Sequence, residues 1–104
     1  MRRAAKRDRS EPAIVAALRE AGASVHRISD KDAPDLLVGW CGINLLMEVK
    51  NPPGDRGGTS KDGQHLLEGQ AKWHREWKGA EVLVVHSPGE AVGAMMIAAA
   101  KVQR

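Results

Sequence analysis

Within the stretch Pro34–Lys50, P-D-L-L-V-G-W-C-G-I-N-L-L-M-E-V-K, three residues have types and spacing suited to chemistry: Asp35, Glu48 and Lys50. Ile43, Leu45, Met47 and Val49 alternate with Asn44, Leu46, Glu48 and Lys50, the period of two of a β-strand. Glu48 and Lys50 therefore share one face and Val49 takes the other. A turn centred between Cys41 and Gly42 sets Asp35 opposite Glu48. Opposed residues on antiparallel strands have Cβ atoms about 4.5–5.5 Å apart. Two carboxylates so placed can share one divalent cation, with the Lys50 ammonium beside them. A turn centred one residue earlier sets Asp35 opposite Leu46 instead. Taken singly, Pro-Asp is also a common turn opener, and Glu-x-Lys is also an ordinary solvated strand face.

The elements that must hold these residues follow from the rest of the chain. Ser10 is a good N-cap, Pro12 falls in a first turn that needs no N–H, and Gly22 is a stop, so a helix is expected over Glu11–Ala21. It buries Ile14, Val15 and Leu18. Glu11 lies on the same stripe, where the helix dipole alone favours a glutamate. Ala23–Ile28 reads as a first strand, Ser29–Ala33 as a polar connection, and Asp35–Val49 as a hairpin opened by Pro34. Asn51–Gly63, N-P-P-G-D-R-G-G-T-S-K-D-G, has no apolar residue and reads as a long loop, either a substrate-side flap or a surface insertion.

A second helix is expected over Leu66–Lys78, with Leu66, Gln70, Trp73 and Trp77 on one face. Gln70 is the polar misfit in that stripe. It either points at the acids or satisfies a buried backbone group. His65 and His74 read as surface histidines. Glu81–His86 is nearly all apolar, the pattern of a strand covered on both faces. A last, Ala-rich helix opens at Ser87 or Pro88 and runs to Ala100, suited to tight packing or to a subunit interface. The order αβββαβα, with a helical crossover to the last strand, is a mixed three-layer α/β domain.

Composition narrows the functions. The chain of 104 residues suits one domain with one modest core. It contains no run of eighteen or more apolar residues and no apolar segment behind the basic start, so neither a membrane span nor a secretory signal is expected. The single cysteine, Cys41, precludes an internal disulfide, suits the cytoplasm and argues against a zinc site. Three tryptophans, with no tyrosine or phenylalanine, do not furnish a base-stacking platform. Of 16 basic and 13 acidic side chains, five basic and one acidic fall in Met1–Arg9, which leaves the body within one charge of neutrality. Residues 1–9 thus form a basic arm, fit for nucleic acid, an anionic surface or solvent alone.

Taken in order, S-E at the head of the first helix, P-D-L-L-V-G, E-V-K, Q-A-K-W-H-R-E-W and V-L-V-V-H-S resemble the PD-(D/E)XK nucleases, and among them the small stand-alone VRR-NUC domains of phages and bacteria. The resemblance covers residues 10–104 and implies a restriction-endonuclease-like αβββαβα fold with a mixed central sheet flanked by helices. It implies Asp35 and Glu48 as metal-binding carboxylates, the Val49 carbonyl as a further oxygen ligand, and Lys50 as the active-site lysine. Glu11 would be the helical acid near the metal and Gln70 the helix-borne glutamine facing the site. The loop at 51–63 is longer and richer in glycine than the family's usual connection.

Phosphodiester hydrolysis needs an in-line water, neutralised phosphoryl oxygens and help for the leaving alkoxide. Carboxylate and carbonyl oxygens suit Mg²⁺ or Mn²⁺, and a lysine orients the water or stabilises the transition state. The expectation is a Mg²⁺- or Mn²⁺-dependent DNA endonuclease. From the resemblance alone, it would be a homodimer acting on branched DNA as Holliday-junction resolvases do. The alternatives are a DNA-binding module that does not cleave, and a nuclease subunit that needs a partner protein.

Overall fold

The computed structural model describes residues 9–52 and 66–102. The elements are α1 (Glu11–Glu20), β1 (Ser24–Arg27), β2 (Leu36–Trp40), β3 (Ile43–Val49), α2 (Glu68–Glu76), β4 (Leu83–Val85) and α3 (Pro88–Val102). Their order is the αβββαβα expected from the pattern. Most of the basic arm, most of the Gly/Pro-rich loop (with Lys61) and His65 lie outside the described residues.

The sheet is ordered β1-β2-β3-β4, with the first three strands antiparallel and β4 parallel to β3. It is a mixed, open sheet, and α2 makes the crossover into its parallel edge. In the hairpin, Leu36 faces Met47 and Trp40 faces Ile43. This is the register of a turn centred between Cys41 and Gly42, and it excludes the pairing of Asp35 with Leu46. Both turn residues take left-handed φ angles, 51° and 81°, the pair that a two-residue type I′ turn requires. Gly42 adopts this freely, whereas the Cβ of Cys41 is crowded there.

Strand alternation divides the two faces of the sheet. Leu36 and Val38 of β2 and Leu45, Met47 and Val49 of β3 point to one side. There they meet Ile14, Val15 and Leu18 of α1 and Ala91 and Met95 of α3. Burying a side chain of this size stabilises by about 1.5–3 kcal/mol, so this layer supplies most of the hydrophobic drive. Helices α1 and α3 pack on each other as well as on the sheet, and the small Ala91 and Ala99 of α3 are buried. Helix α2 covers the opposite face and has no buried residue of its own. No described helix is long and apolar enough to cross a membrane.

Some local expectations change. The Ser10 side chain does not cap α1: its backbone is itself helical and its hydroxyl donates to the Lys50 carbonyl at 3.4 Å. The Ser10 N–H donates to Asn51 Oδ1 at 3.4 Å, so the start of α1 is tied to the end of β3. Gly22 ends α1 as expected, with φ at 101° and the Ala23 N–H bonded to the Leu18 carbonyl. Strand β4 is a short edge strand with Leu83 and Val84 only half-buried, rather than one fully covered on both faces. Its apolar run reflects packing of Val82 and Val85.

Candidate active site

The hairpin delivers its acids to the α2 side. Leu36 opposite Met47 places Asp35 beside Glu48 at the next step of the ladder. The Asp35 N–H donates to the Met47 carbonyl at 3.0 Å. The Asp35 carboxylate turns back across the hairpin, and its Oδ2 accepts the Val49 N–H at 2.7 Å. Glu48 is only 1 % exposed, a position that a carboxylate holds only with polar company.

Much of that company comes from α2. The Gln70 amide nitrogen donates to Glu48 Oε2 at 3.0 Å, while its oxygen accepts the Lys50 ammonium at 2.9 Å. The same oxygen accepts the Leu67 N–H at 3.1 Å, as a glutamine at the third position of a helix does in a capping box. Gln70 therefore faces the acids, and the backbone N–H it also satisfies is an exposed one rather than a buried one. Three contacts fix which end of the amide is which, since a flipped amide would oppose donors to the ammonium and to the Leu67 N–H. Lys50 Nζ lies 3.9 Å from Glu48 Oε2, farther than either lies from Gln70.

His74 belongs to this group, contrary to its reading as a surface residue. One helical turn beyond Gln70, its side chain is 15 % exposed and its Nε2 lies 3.5 Å from Glu48 Oε1. Burial, reinforced by the Lys50 ammonium, lowers its pKa from the ordinary histidine value against the pull of Asp35. The Nε2 atom is buried and makes no hydrogen bond. Spacing could have revealed it: positions 70 and 74 stand at i and i+4, so a glutamine aimed at the sheet carries the next such residue with it.

Helix α2 seats closely at its start. A Cβ on Gly69 would collide with the Asp32 carboxylate, so glycine lets the helix begin against the β1–β2 connection. Farther along, Trp73 and Trp77 stack with ring centroids 4.7 Å apart. Together with Pro34, Leu37 and Leu46 they line an apolar groove of about 400 Å³ on the acid-bearing face.

Glu11 comes from α1, on the other side of the sheet from α2. It is 2 % exposed on the α1 side and pairs through Oε2 with Arg27 Nε at 3.0 Å. The Ser10 bonds to Lys50 and Asn51 keep it at the same end of the sheet. Val49 presents its side chain to the core, as alternation requires.

The donor set suits a hard divalent cation, since two carboxylates on adjacent strands supply oxygen ligands. Among the described residues no three His, Cys, Asp or Glu side chains form a cluster able to hold a metal. Comparison with family models, with curated proteins and with solved structures gave no match to this chain.

Proposed function

We propose that the chain is a Mg²⁺- or Mn²⁺-dependent DNA endonuclease with a restriction-endonuclease-like domain. The observation that carries this reading is the assembly of Asp35, Glu48 and Lys50 on one face of a hairpin, with Gln70 bonded to both Glu48 and Lys50. A buried carboxylate beside a second acid and a lysine is costly as mere surface. It is useful where a phosphate must be met.

Asp35 and Glu48 would hold the ion, with the Val49 carbonyl as a further oxygen. Bound there, it would acidify water and offset charge on the phosphoryl oxygens. Lys50 keeps a compact cation within reach of the attacked phosphate, where it orients water or stabilises developing charge. Glu11, which keeps Oε2 on Arg27, would sit near the ion directly or through water. Exposed Lys72 and Arg75 on α2, with the basic arm, supply charge for the phosphate backbone.

The homodimer and the branched-substrate preference remain part of the proposal. Met96, Ile97 and Val102, exposed on α3, offer an apolar face to a second copy or to a partner protein. A DNA-binding module without cleavage draws support from one observation: Glu48 already has Gln70, His74 and Lys50 around it. The test is cleavage with Mg²⁺ or Mn²⁺ on linear duplex, single-stranded, flap and four-way junction DNA, with Glu48→Ala as control. Binding without metal-dependent product on any of the four would leave the binding module standing and remove the nuclease.

A further inference from the structure

The distances around Gln70 carry more than its membership of the site. An ammonium and a carboxylate free to meet close to about 2.7–2.9 Å. Lys50 and Glu48 sit two residues apart on one strand face, yet remain 3.9 Å apart. The Gln70 amide stands between them, with its oxygen on the ammonium at 2.9 Å and its nitrogen on the carboxylate at 3.0 Å. The third contact, to the Leu67 N–H, anchors the amide to the first turn of α2. An amide held this way cannot swing aside at little cost.

We propose that Gln70 is a positioning residue that acts as a spacer, keeping Lys50 from closing on Glu48 so that Oε2 carries a neutral donor rather than a cation and retains its affinity for a divalent ion. The proposal rests on the nuclease reading for the identity of that cation. A contact ion pair would place a positive charge on the oxygen that must bind another positive charge, and metal affinity would fall. The amide instead satisfies both groups with neutral dipoles. It leaves the ammonium poised and the carboxylate oriented, which is how groups outside the ligand shell tune a metal site. His74, one turn on, limits rotation of the same carboxylate from the side of Oε1. Helix α2 thus brackets Glu48 while burying none of its own residues.

The test is calorimetric titration of Mg²⁺ into the full chain, with the fold of each variant checked by circular dichroism. Gln70→Ala should weaken binding by about 10-fold, within the range seen when such outer partners are removed. The decisive variant is Gln70→Ala combined with Lys50→Met. With no ammonium to collapse, affinity should return to that of Lys50→Met alone. If the double variant binds as weakly as Gln70→Ala, the glutamine merely holds the helix, and the spacer is wrong. Gln70→Met, similar in volume and unable to bridge, replaces the alanine variant should that one unfold.

Glu48→Ala separates this failure from that of the nuclease reading. If it binds Mg²⁺ as the wild type does, the metal site lies elsewhere and the function falls with it. If Glu48→Ala loses binding while neither Gln70 variant weakens it, the spacer alone is refuted.

Discussion

Asp35 makes one structural bond and has one proposed role as a metal ligand, and two substitutions separate them. Its Oδ2 accepts the Val49 N–H at 2.7 Å, joining the start of β2 to the end of β3. A hydrogen bond to a charged group contributes about 1.5–3 kcal/mol. Asp35→Ala removes it and leaves the N–H of the buried Val49 without that acceptor. For a domain near this size each kcal/mol shifts Tm by roughly 4–8 °C, so the alanine variant should melt roughly 10–15 °C lower. Asp35→Asn keeps an oxygen in the same place. Neutral hydrogen bonds have roughly half the strength of charge-assisted ones, so its Tm should fall by only about 5 °C. Activity should not follow stability. Both variants remove the charge proposed to bind the metal, and both should lose cleavage by on the order of 10²–10³-fold. Differential scanning calorimetry and nicking of supercoiled plasmid in Mg²⁺ read the two effects separately. Asn cleaving within a few fold of wild type would falsify the assignment of Asp35 as a ligand. Asn as unstable as Ala would show that the bond to Val49 is not what the carboxylate contributes.

Lys50→Ala should retain metal affinity, or gain some by losing a nearby positive charge, yet turn over far more slowly; loss of metal binding in a folded variant would make the lysine structural. Cys41→Asn should stabilise by on the order of 0.5–1 kcal/mol, because asparagine accepts the left-handed φ of 51° with less strain; an unchanged denaturant midpoint would count against strain at this turn. His74, held below its ordinary pKa of 6.5, protonates later in the folded than in the unfolded chain. The unfolded state then binds more protons as the pH falls below 6.5, so stability should drop there and level off once the folded histidine is charged; His74→Gln should flatten this part of a urea-stability profile, and an unaltered profile would assign the drop to other groups. Deleting residues 1–9 should weaken DNA binding at low salt and lower the slope of log K against log salt by up to about 4.5; an equal slope would make the arm a solvated tail.

What was legible in the sequence, and what was not, divides along physical lines. The strands and faces of the hairpin were legible through alternation, Pro34 and the Cys-Gly turn, but its register was not, because a turn centred one residue earlier shifts the pairing by two and leaves Leu45, Met47 and Val49 facing the core. The first helix was legible through Pro12, its apolar stripe and Gly22. The capping role given to Ser10 failed because the hydroxyl found a partner 40 residues away, the Lys50 carbonyl, and local propensity cannot anticipate such a contact. For His74 the i, i+4 spacing from Gln70 was legible, but its burial was not. On sequence alone a histidine in Q-A-K-W-H-R-E-W has charged neighbours, and only the docking of α2 over Glu48 removes it from water. The Glu11–Arg27 pair joins a helix start to a strand end through space, beyond the reach of pattern.

The arrangement also bears on the choice between binding and catalysis. A module that only holds DNA gains from cations and loses from carboxylates aimed at phosphate, because like charges repel and burial prevents solvent from screening them. Here the acids lie on the same face as Lys50, and Glu48 is more deeply buried than the cation. The fold could have left that face to Leu37, Leu46 and the two tryptophans, which already line an apolar groove. Glu48 is instead buried against Gln70, Lys50 and His74, and replacing a buried charged group of this kind by a well-packed apolar one is often neutral or stabilising. A group that weakens the fold and opposes the phosphate is consistent with selection for what it binds. The proposed divalent cation would turn both costs into a function, and Mg²⁺ titration of Glu48→Ala tests this, since unchanged affinity would remove the carboxylate from the metal site.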